Sequence, residues 1–443
     1  MSSKWLYHSP RWYKQQLVVQ RYYMNKDKHI PQGYKNSPLG IIPKEWDVKR
    51  LGDYVTIKSG ESPSLYNLKA KGKYPYIKVE DMNNCSKYQI QSREYSDDEK
   101  NIIPKGSIIF PKRGAAILNN KVRIASTNIL MDSNMMAITA NRDFLDSEFL
   151  YYTIINEQLY KIADTSTIPQ INNKHIIPYR FRLPSLEEQK QIVSLLITWD
   201  TAIEKQSELI EKLTLRKSAL MQQLLTGKKR LPGFSGKWQE KKLRGIGIFL
   251  SNNTLSREQL NISSGDVHCI HYGDVLIKYP SIIDCEKETM PFINENAYKE
   301  SMIDFIENGD IIISDTAEDE TVGKACEIQN VGNKKILAGL HTMLLRPNKG
   351  LFAPCFLGYY INSEAYHKKL IPLIQGIKVC SIGKMAIQNT LITIPNVKEQ
   401  NAIASVLVKA DKEIELANAK LAKLKSQKRG LMQQLLTGKK RIE

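Results

Sequence analysis

The chain is poor in cysteine and has no long apolar run. Six cysteines occur in 443 residues, and none forms a Cys-x-x-Cys pair. A chain of this size does not need disulfide staples, so we expect reduced, mostly buried thiols in a cytoplasmic protein. No stretch approaches the ~20 apolar residues that cross a bilayer. The aromatic and basic residues 1–23 lack the apolar core of a signal peptide and could form an amphipathic helix or a mobile tail.

Sequence signatures of catalysis are also missing. There is no Gly-x-x-x-x-Gly-Lys-Ser/Thr loop, no Gly-x-Ser-x-Gly or His-Glu-x-x-His motif, and no Asn/Asp-Pro-Pro-aromatic tetrapeptide, which resembles an amino-methyltransferase site. The acidic pairs Asp310/Asp315 and Asp319/Glu320 could serve a nuclease, but loop carboxylates are usually only solvated. His268-Cys269-Ile270-His271 lacks a second ligand pair at zinc spacing and predicts a strand. We therefore expect no catalytic centre and no metal site.

Positive charge is abundant. The formal net charge is +18 and the isoelectric point is near 9.4. Such a balance favours a polyanionic partner, with nucleic acid first and an anionic membrane second. With 42% apolar residues, a chain of this length can build two or three domains.

An internal repeat organises the chain. The segment 220–230, Leu-Met-Gln-Gln-Leu-Leu-Thr-Gly-Lys-Lys-Arg, recurs letter for letter at 431–441, an offset of 211 residues. The same offset relates Pro184 to Pro395, Glu188-Gln189 to Glu399-Gln400, and Asp200 to Asp411. Repetition at a fixed offset indicates a duplicated structural unit.

Each copy of the repeat predicts one long helix. Ser185 and Asn396 can cap the starts, each with a glutamate three residues on, and Gly227 and Gly438 suit the ends. The apolar seam steps by four and three residues, as in a coiled coil, and each helix would be about 60 Å long. Its members are Ile192, Leu196, Trp199, Ile203, Gln206, Ile210, Leu213, Lys217, Leu220 and Leu224, and at +211 Ile403, Leu407, Ala410, Ile414, Ala417, Leu421, Leu424, Lys428, Leu431 and Leu435. The matched seams favour pairing of the two copies; two separate core helices, or helices that pair with other proteins, are the alternatives.

Two unlike segments, roughly 46–183 and 238–394, precede the helices. Each opens on Trp-x-x-x-x-Leu, at Trp46 and Trp238. Short β-branched runs at 55–57, 76–79 and 311–313 predict strands, and one helix per segment is expected near 147–161 and 354–370. Gly106-Ser107-Ile108-Ile109-Phe110 parallels Gly309-Asp310-Ile311-Ile312-Ile313, so the two segments share a skeleton.

Two related modules on a rigid element have the geometry to read two DNA half-sites. The layout from about Gly33 onward resembles the specificity subunit of type I restriction-modification systems. Three features carry the resemblance: Pro-x-x-x-Glu-Gln at the start of each helix, Leu-Met-Gln-Gln-Leu-Leu-Thr-Gly at its end, and the Trp-x-x-x-x-Leu opening of each module. The first thirty-odd residues depart from the pattern.

The resemblance implies an α+β fold with a pseudo-two-fold internal repeat. Two target recognition domains of mixed strand and helix would be separated by two long helices in an antiparallel coiled coil, with the segment near Leu39 beside the C-terminal end. The expected boundaries are an N-terminal extension at 1–38, a first recognition domain at 39–184, a central helix at 185–230, a second recognition domain at 231–395 and a C-terminal helix at 396–443.

The same resemblance implies partners and cofactors. The chain would bind double-stranded DNA at an asymmetric, bipartite target and dock methyltransferase subunits on the coiled coil. The complex would methylate adenine with S-adenosylmethionine and, with restriction and translocation subunits, cleave unmodified DNA with ATP and Mg²⁺. Those cofactors would be bound by the partner subunits, and this chain would be a non-catalytic subunit.

Candidate DNA contacts are basic and polar side chains in accessible loops, because phosphates attract cations and base edges need donors and acceptors. The loop at 165–174 also resembles a loop on the DNA side of the family. The candidates are Lys71, Lys73, Lys78, Lys112, Arg113, Asn119, Asn120, Lys121, Arg123, Gln170, Asn172, Asn173 and Lys174 in the first domain, and Ser314, Thr316, Lys324 and Lys378 in the second. The second set is less basic, so its readout is expected to depend on polar or acidic side chains.

Two rival functions remain at this point. A stand-alone methyltransferase or nuclease would show activity by itself, which the missing motifs disfavour. A scaffold without DNA contact would explain a coiled coil but neither the two diverged domains nor the net charge of +18. Salt-dependent DNA binding separates the scaffold from the specificity subunit.

Overall fold

The fold was examined in a computed structural model that describes residues 30–165, 168–298 and 304–442. The prediction for residues 1–23 lies outside these ranges. The chain divides into two compact units: Gln206–Lys420 forms the second, and the first combines residues up to Lys205 with those from Leu421 onward. Each unit thus takes the start of one long helix and the end of the other.

The first unit contains twelve strands and two short helices among the residues described. The strands are β1 Tyr34–Ser37, β2 Gly40–Pro43, β3 Asp47–Arg50, β4 Val55–Ser59, β5 Tyr74–Ile77, β6 Tyr88–Gln89, β7 Tyr95–Ser96, β8 Ile108–Pro111, β9 Arg123–Ala125, β10 Leu130–Met131, β11 Met135–Ala140 and β12 Arg180–Leu183. The helices are α1 Ser147–Glu157 and α2 Asn173–Ile176, followed by the long α3 Leu186–Leu224. The main sheet has the order β4-β11-β8-β9-β6, and β12 pairs with β3 beside it.

The second unit repeats this plan. Its strands are β13 Gln239–Lys242, β14 Gly247–Leu250, β15 Leu260–Asn261, β16 Val267–Ile270, β17 Ile282–Asp284, β18 Phe292–Ile293, β19 Ile311–Ser314, β20 Thr316–Ala317, β21 Ala325–Gln329, β22 Lys335–Ala338, β23 Thr342–Pro347, β24 Cys380–Ser381 and β25 Leu391–Ile394. The helices are α4 Phe356–Ile361, α5 Glu364–Leu370, α6 Lys384–Gln388 and the long α7 Val397–Leu435. The order β14-β23-β19-β21-β17 matches the main sheet of the first unit strand for strand, and β13 pairs with β25 as β3 does with β12.

Both long helices have 39 residues and pair in an antiparallel sense within each unit. In the second unit Gln206 Nε2 donates to the Ala417 carbonyl at 2.9 Å, while Lys217 pairs with Asp411 at 2.5 Å, so partner numbers fall as α3 advances. Every residue of the predicted seam is buried or half-buried, which confirms the coiled-coil prediction.

The repeated helix ends are explained by burial. Leu435 and Leu436 pack in the core of the first unit, and Leu224 and Leu225 pack in the core of the second. Gly227 and Gly438 both adopt φ of 70°, the left-handed conformation that ends a helix at little cost for glycine. The two identical segments therefore pack in the same way, one in each unit.

Several local predictions need correction. The first predicted helix ends at Glu157, where Gln158 turns to a φ of 64°, and the second is divided into α4 and α5. Ser363 causes that break by accepting a hydrogen bond from the backbone nitrogen of Tyr366, as an N-cap does. The strand predicted at 76–79 begins earlier, at Tyr74. The His268-Cys269-Ile270 run lies in strand β16, as predicted.

No helix in the described part of the chain is long and apolar enough to span a membrane.

Candidate nucleic-acid interface

A glutamine at the start of each long helix anchors the strand-rich domain of its unit. Gln189 is fully buried; its Oε1 accepts from the Asp146 nitrogen at 2.8 Å, and its Nε2 donates to the Phe144 carbonyl at 3.0 Å. Gln400 repeats this with the Ala353 nitrogen at 2.9 Å and the Leu351 carbonyl at 3.2 Å. These loops lead into α1 and α4, so the Pro-x-x-x-Glu-Gln motif ties a helix start to a domain.

The glutamate before each of these glutamines lies between the tryptophan that opens its unit and the arginine that follows the other long helix. Trp46 Nε1 and Arg441 Nη2 donate to Glu188 Oε2 at 2.9 and 3.0 Å, and Arg441 also pairs with Glu45 at 2.7 Å. The segment after Leu39 therefore lies beside the C-terminal end, as the resemblance implied. Ser185 accepts from the Glu188 nitrogen at 3.3 Å, so it caps α3.

The second unit builds the equivalent cluster with one difference. Arg230 donates to Glu399 at 2.5 and 2.6 Å, and its guanidinium lies 5.5 Å from the centre of the Trp238 ring. Trp238 Nε1, however, has no hydrogen-bond partner among the residues described. In both units the arginine comes from the segment just after one long helix and the glutamate from the start of the other.

A tyrosine, an aspartate and a lysine form a further pair of equivalent clusters, which we call the clamps. In the second unit Tyr359 donates to Asp411 at 2.6 Å, and Lys217 pairs with the other oxygen of Asp411 at 2.5 Å. In the first unit Tyr152 donates to Asp200, which also pairs with Lys428.

The tyrosine of each clamp stays protonated. Burial, together with the carboxylate that accepts the hydrogen bond, raises the pKa of Tyr152 and of Tyr359 well above the usual range. Each phenol therefore stays a donor at neutral pH. Since α1 or α4 carries the tyrosine and the two long helices carry the aspartate and the lysine, each clamp fixes the strand-rich domain of its unit to the helix pair of that unit.

Several candidate DNA contacts of the first unit lie together where β8 ends. The Lys112 carbonyl accepts from the Ile171 nitrogen at 2.8 Å, and Arg113 pairs with Gln170 in an isolated bridge. The Gly114 nitrogen donates to the Pro169 carbonyl at 2.8 Å. The segments 112–114 and 169–171 thus lie side by side, whereas Ser166 and Thr167 lie outside the described residues.

Several of the predicted DNA contacts, in both units, have side chains that face solvent. Within the described ranges, the exposed candidates that form no side-chain ion pair or hydrogen bond are Lys71, Arg113, Asn119, Asn173, Lys174 and Lys378. Asn172 is also exposed, and its backbone nitrogen donates to His175 Nδ1 at 3.1 Å at the start of α2. Lys112 is half-buried, and burial together with the adjacent Arg113 cation lowers its pKa. These side chains have donors available for a polyanion.

Other predicted residues have partners inside the protein. Lys73 pairs with Glu99 at 2.6 Å and Lys78 pairs with Glu94, so the basic run at 71–78 is largely neutralised by a facing acidic run. Arg123 donates to the carbonyls of Cys85, Val122 and Met82 at 2.7–2.9 Å.

The remaining candidates are similarly engaged. Lys121 donates to Asn83 at 2.7 Å, Asn120 to the Ile155 carbonyl at 3.0 Å, and Lys324 to the Leu276 carbonyl at 2.7 Å. Ser314 needs correction as a DNA contact, because its side chain is completely buried and donates to the Thr316 carbonyl at 2.7 Å. It shapes the turn after β19 and does not face solvent.

The end of β19 presents a surface equivalent to the end of β8. The Asp315 carbonyl accepts from the Ile382 nitrogen at 2.9 Å, and Thr316 pairs with Ser381. Lys378 lies in the turn between Gln375 and Ser381, which pair with each other. The residues that sequence reasoning missed here are Asn134, His341 and Ser381, which come next to these strand ends only through sheet pairing.

Comparison with known proteins gives a consistent result. The family model of the type I restriction modification DNA specificity domain matches residues 43–215 and again 236–426. The chain is 24% identical to the Type I restriction enzyme MjaVIII specificity subunit of Methanocaldococcus jannaschii, over 96% of this chain and 99% of that protein. It is 31% identical to the MjaIX specificity subunit of the same organism, over 41% of this chain and 45% of that protein.

Solved structures share the fold. A chain from a study of complex assembly and conformational transition of the type I R-M system superposes with a TM-score of 0.60 at 17% identity, over 90% of this chain and 99% of that chain. The S subunit of a type I restriction-modification system from M. genitalium superposes with a TM-score of 0.51 at 15% identity, over 92% and 98% of the two chains.

Proposed function

Because the chain belongs to the family of type I restriction modification DNA specificity domains, which matches it twice, we propose that each unit reads one half of an asymmetric, bipartite DNA target. The chain is the non-catalytic DNA sequence-specificity subunit of a restriction-modification complex. It directs partner subunits to a target and performs no chemistry itself.

One observation carries the proposal of two different half-sites. The glutamines, glutamates and clamp residues are the same in both units, whereas the accessible side chains at the two equivalent strand ends differ. Lys112 and Arg113 stand in the first unit where Asp315 and Thr316 stand in the second. A common frame with different surface groups reads different base sequences.

The partners are methyltransferase subunits and restriction and translocation subunits. On the long helices Ile197 and Val408, at positions related by the 211-residue offset, are each more than a third exposed, at 36% and 41%. Exposed apolar side chains at equivalent places support docking of two methyltransferase copies. In this proposal the partners bind S-adenosylmethionine, ATP and Mg²⁺, and the complex methylates adenine in the cytoplasm, where the target DNA lies.

Selection from a random duplex library by the chain in complex with its methyltransferase subunits tests this function. We expect two short, different sequences separated by a gap of constant length. A single contiguous site would contradict reading by two domains. No retained DNA at low salt would favour the scaffold, and activity of the chain alone would favour a stand-alone enzyme.

The salt dependence of binding should identify the phosphate contacts. We expect Lys174→Ala to reduce the slope of log affinity against log salt by about 1, because it removes an exposed cation that forms no ion pair among the residues described. Lys73→Ala is the matched control, since Glu99 already neutralises Lys73 at 2.6 Å. Fluorescence anisotropy at several salt concentrations measures the slopes; an equal change for Lys73→Ala would contradict this placement of the interface.

A further inference from the structure

We propose that four structurally equivalent positions in each unit determine which bases are read. They are Lys112, Arg113, Asn134 and Gln170 in the first unit, and Asp315, Thr316, His341 and Ser381 in the second. This inference rests on the proposed function and extends it, because it assigns donor chemistry to the first half-site and acceptor chemistry to the second.

Backbone hydrogen bonds establish that the positions correspond. The Lys112 nitrogen donates to the Asn134 carbonyl at 2.8 Å, and the Asp315 nitrogen donates to the His341 carbonyl at 3.1 Å. On the other side, Arg113 pairs with Gln170 as Thr316 pairs with Ser381. In both units the end of the strand is therefore bonded on one side to the residue just before β11 or β23, and on the other side to the segment that contains Gln170 or Ser381.

The side chains at these positions reach solvent. Arg113 and Asn134 are exposed, and the Asp315 and His341 side chains are 27% and 46% exposed. In sequence the four positions are scattered over more than fifty residues of each unit, yet sheet pairing brings them to one surface. Such convergence of different polar groups on a common frame suits base recognition.

Asp315 is held in a defined orientation. Its Oδ1 accepts from Thr316 Oγ1 at 2.7 Å and lies 3.4 Å from His341 Nδ1. No hydrogen bond to the other oxygen, Oδ2, is formed by the residues described. The carboxylate is thus positioned by its neighbours and keeps one acceptor for a ligand.

The chemistry of the two sets then differs in a predictable way. Lysine and arginine donate to guanine O6 and N7, whereas a carboxylate accepts from the amino group of cytosine. We expect the first half-site to contain a guanine that depends on Lys112 or Arg113. The second half-site should contain a cytosine that depends on Asp315.

The test compares variants of the complete methyltransferase complex by sequencing the adenine methylation that each deposits on a random-sequence library. Asp315→Asn should lower discrimination at one position of the second half-site by about 5- to 150-fold and leave the first half-site unchanged. Arg113→Ala should do the reverse. Glu318→Gln, a nearby exposed carboxylate, is the matched control and should change neither half.

The outcomes separate this inference from the proposed function. The untouched half-site reports folding and assembly in every variant, so loss of both halves in Asp315→Asn and Arg113→Ala alike would contradict separate readout positions. A bipartite motif that survives both substitutions unaltered would overturn the inference and leave the proposed function standing. If the unsubstituted complex itself yields no bipartite motif, the proposed function fails first.

Discussion

Replacement of Glu399 by alanine is expected to destabilise the second unit by about 3 kcal/mol, because it leaves Arg230 without its carboxylate. The Glu399 side chain is 1% exposed and accepts two hydrogen bonds from the guanidinium, at 2.5 and 2.6 Å. The loss should lie at the lower end of the range for buried pairs, since Arg230 is partly exposed and can be hydrated. Hydrogen–deuterium exchange of the second unit, read by mass spectrometry, measures it.

The matched control is Glu413→Ala. Glu413 also accepts from an arginine across the helix pair, Arg216, but both side chains are about half exposed. Exposed pairs contribute less than about 1 kcal/mol, so this variant should leave exchange nearly unchanged. Equal effects of Glu399→Ala and Glu413→Ala would show that the buried cluster does not hold the opening of the second unit to the helix end.

Removal of a clamp carboxylate is expected to produce the second large effect. Asp200→Ala should destabilise the first unit by about 3 kcal/mol, because Tyr152 and Lys428 lose their acceptor and the nearly buried Lys87 loses a carboxylate at 3.5 Å. Asp411→Ala should cost the second unit less, about 2 kcal/mol, because Asp411 is more exposed and, within the described part of the chain, binds only Tyr359 and Lys217.

The clamp variants should also separate the two half-sites. We expect Asp200→Ala to weaken selection of the first half-site only, and Asp411→Ala of the second only, because each clamp holds one recognition domain. Glu415→Ala, which removes an exposed pair with Lys412, is the control for the loss of a helix carboxylate. A variant that loses both half-sites equally while its other unit keeps normal exchange would contradict the role assigned to the clamps.

The long helices could be predicted from the sequence because their signals are local and occur twice. The seam, the capping residues and the terminal glycines each depend on spacing along one element, and all were found where expected. The break at Ser363 escaped prediction, because a cap in the middle of an apolar stretch is a weak signal beside the surrounding aromatic residues.

The candidate interface could be predicted only in part, because its members meet through sheet pairing. Arg113 and Lys174 lie in visibly polar loops. Asn134 and His341, by contrast, come next to the ends of β8 and β19 only because β11 pairs with β8 and β23 pairs with β19. The same cause explains why the ion pairs of Lys73 and Lys78 were not predicted. Their acidic partners, Glu99 and Glu94, stand some twenty residues away in sequence and face them across the β5–β7 pair.

Single-molecule sequencing of adenine methylation in a host that expresses this chain with its methyltransferase subunit tests the central claim most directly. The account predicts one asymmetric motif with two different halves and an unread gap of constant length. Methylation at a single contiguous site, or none from a complex that assembles, would contradict it.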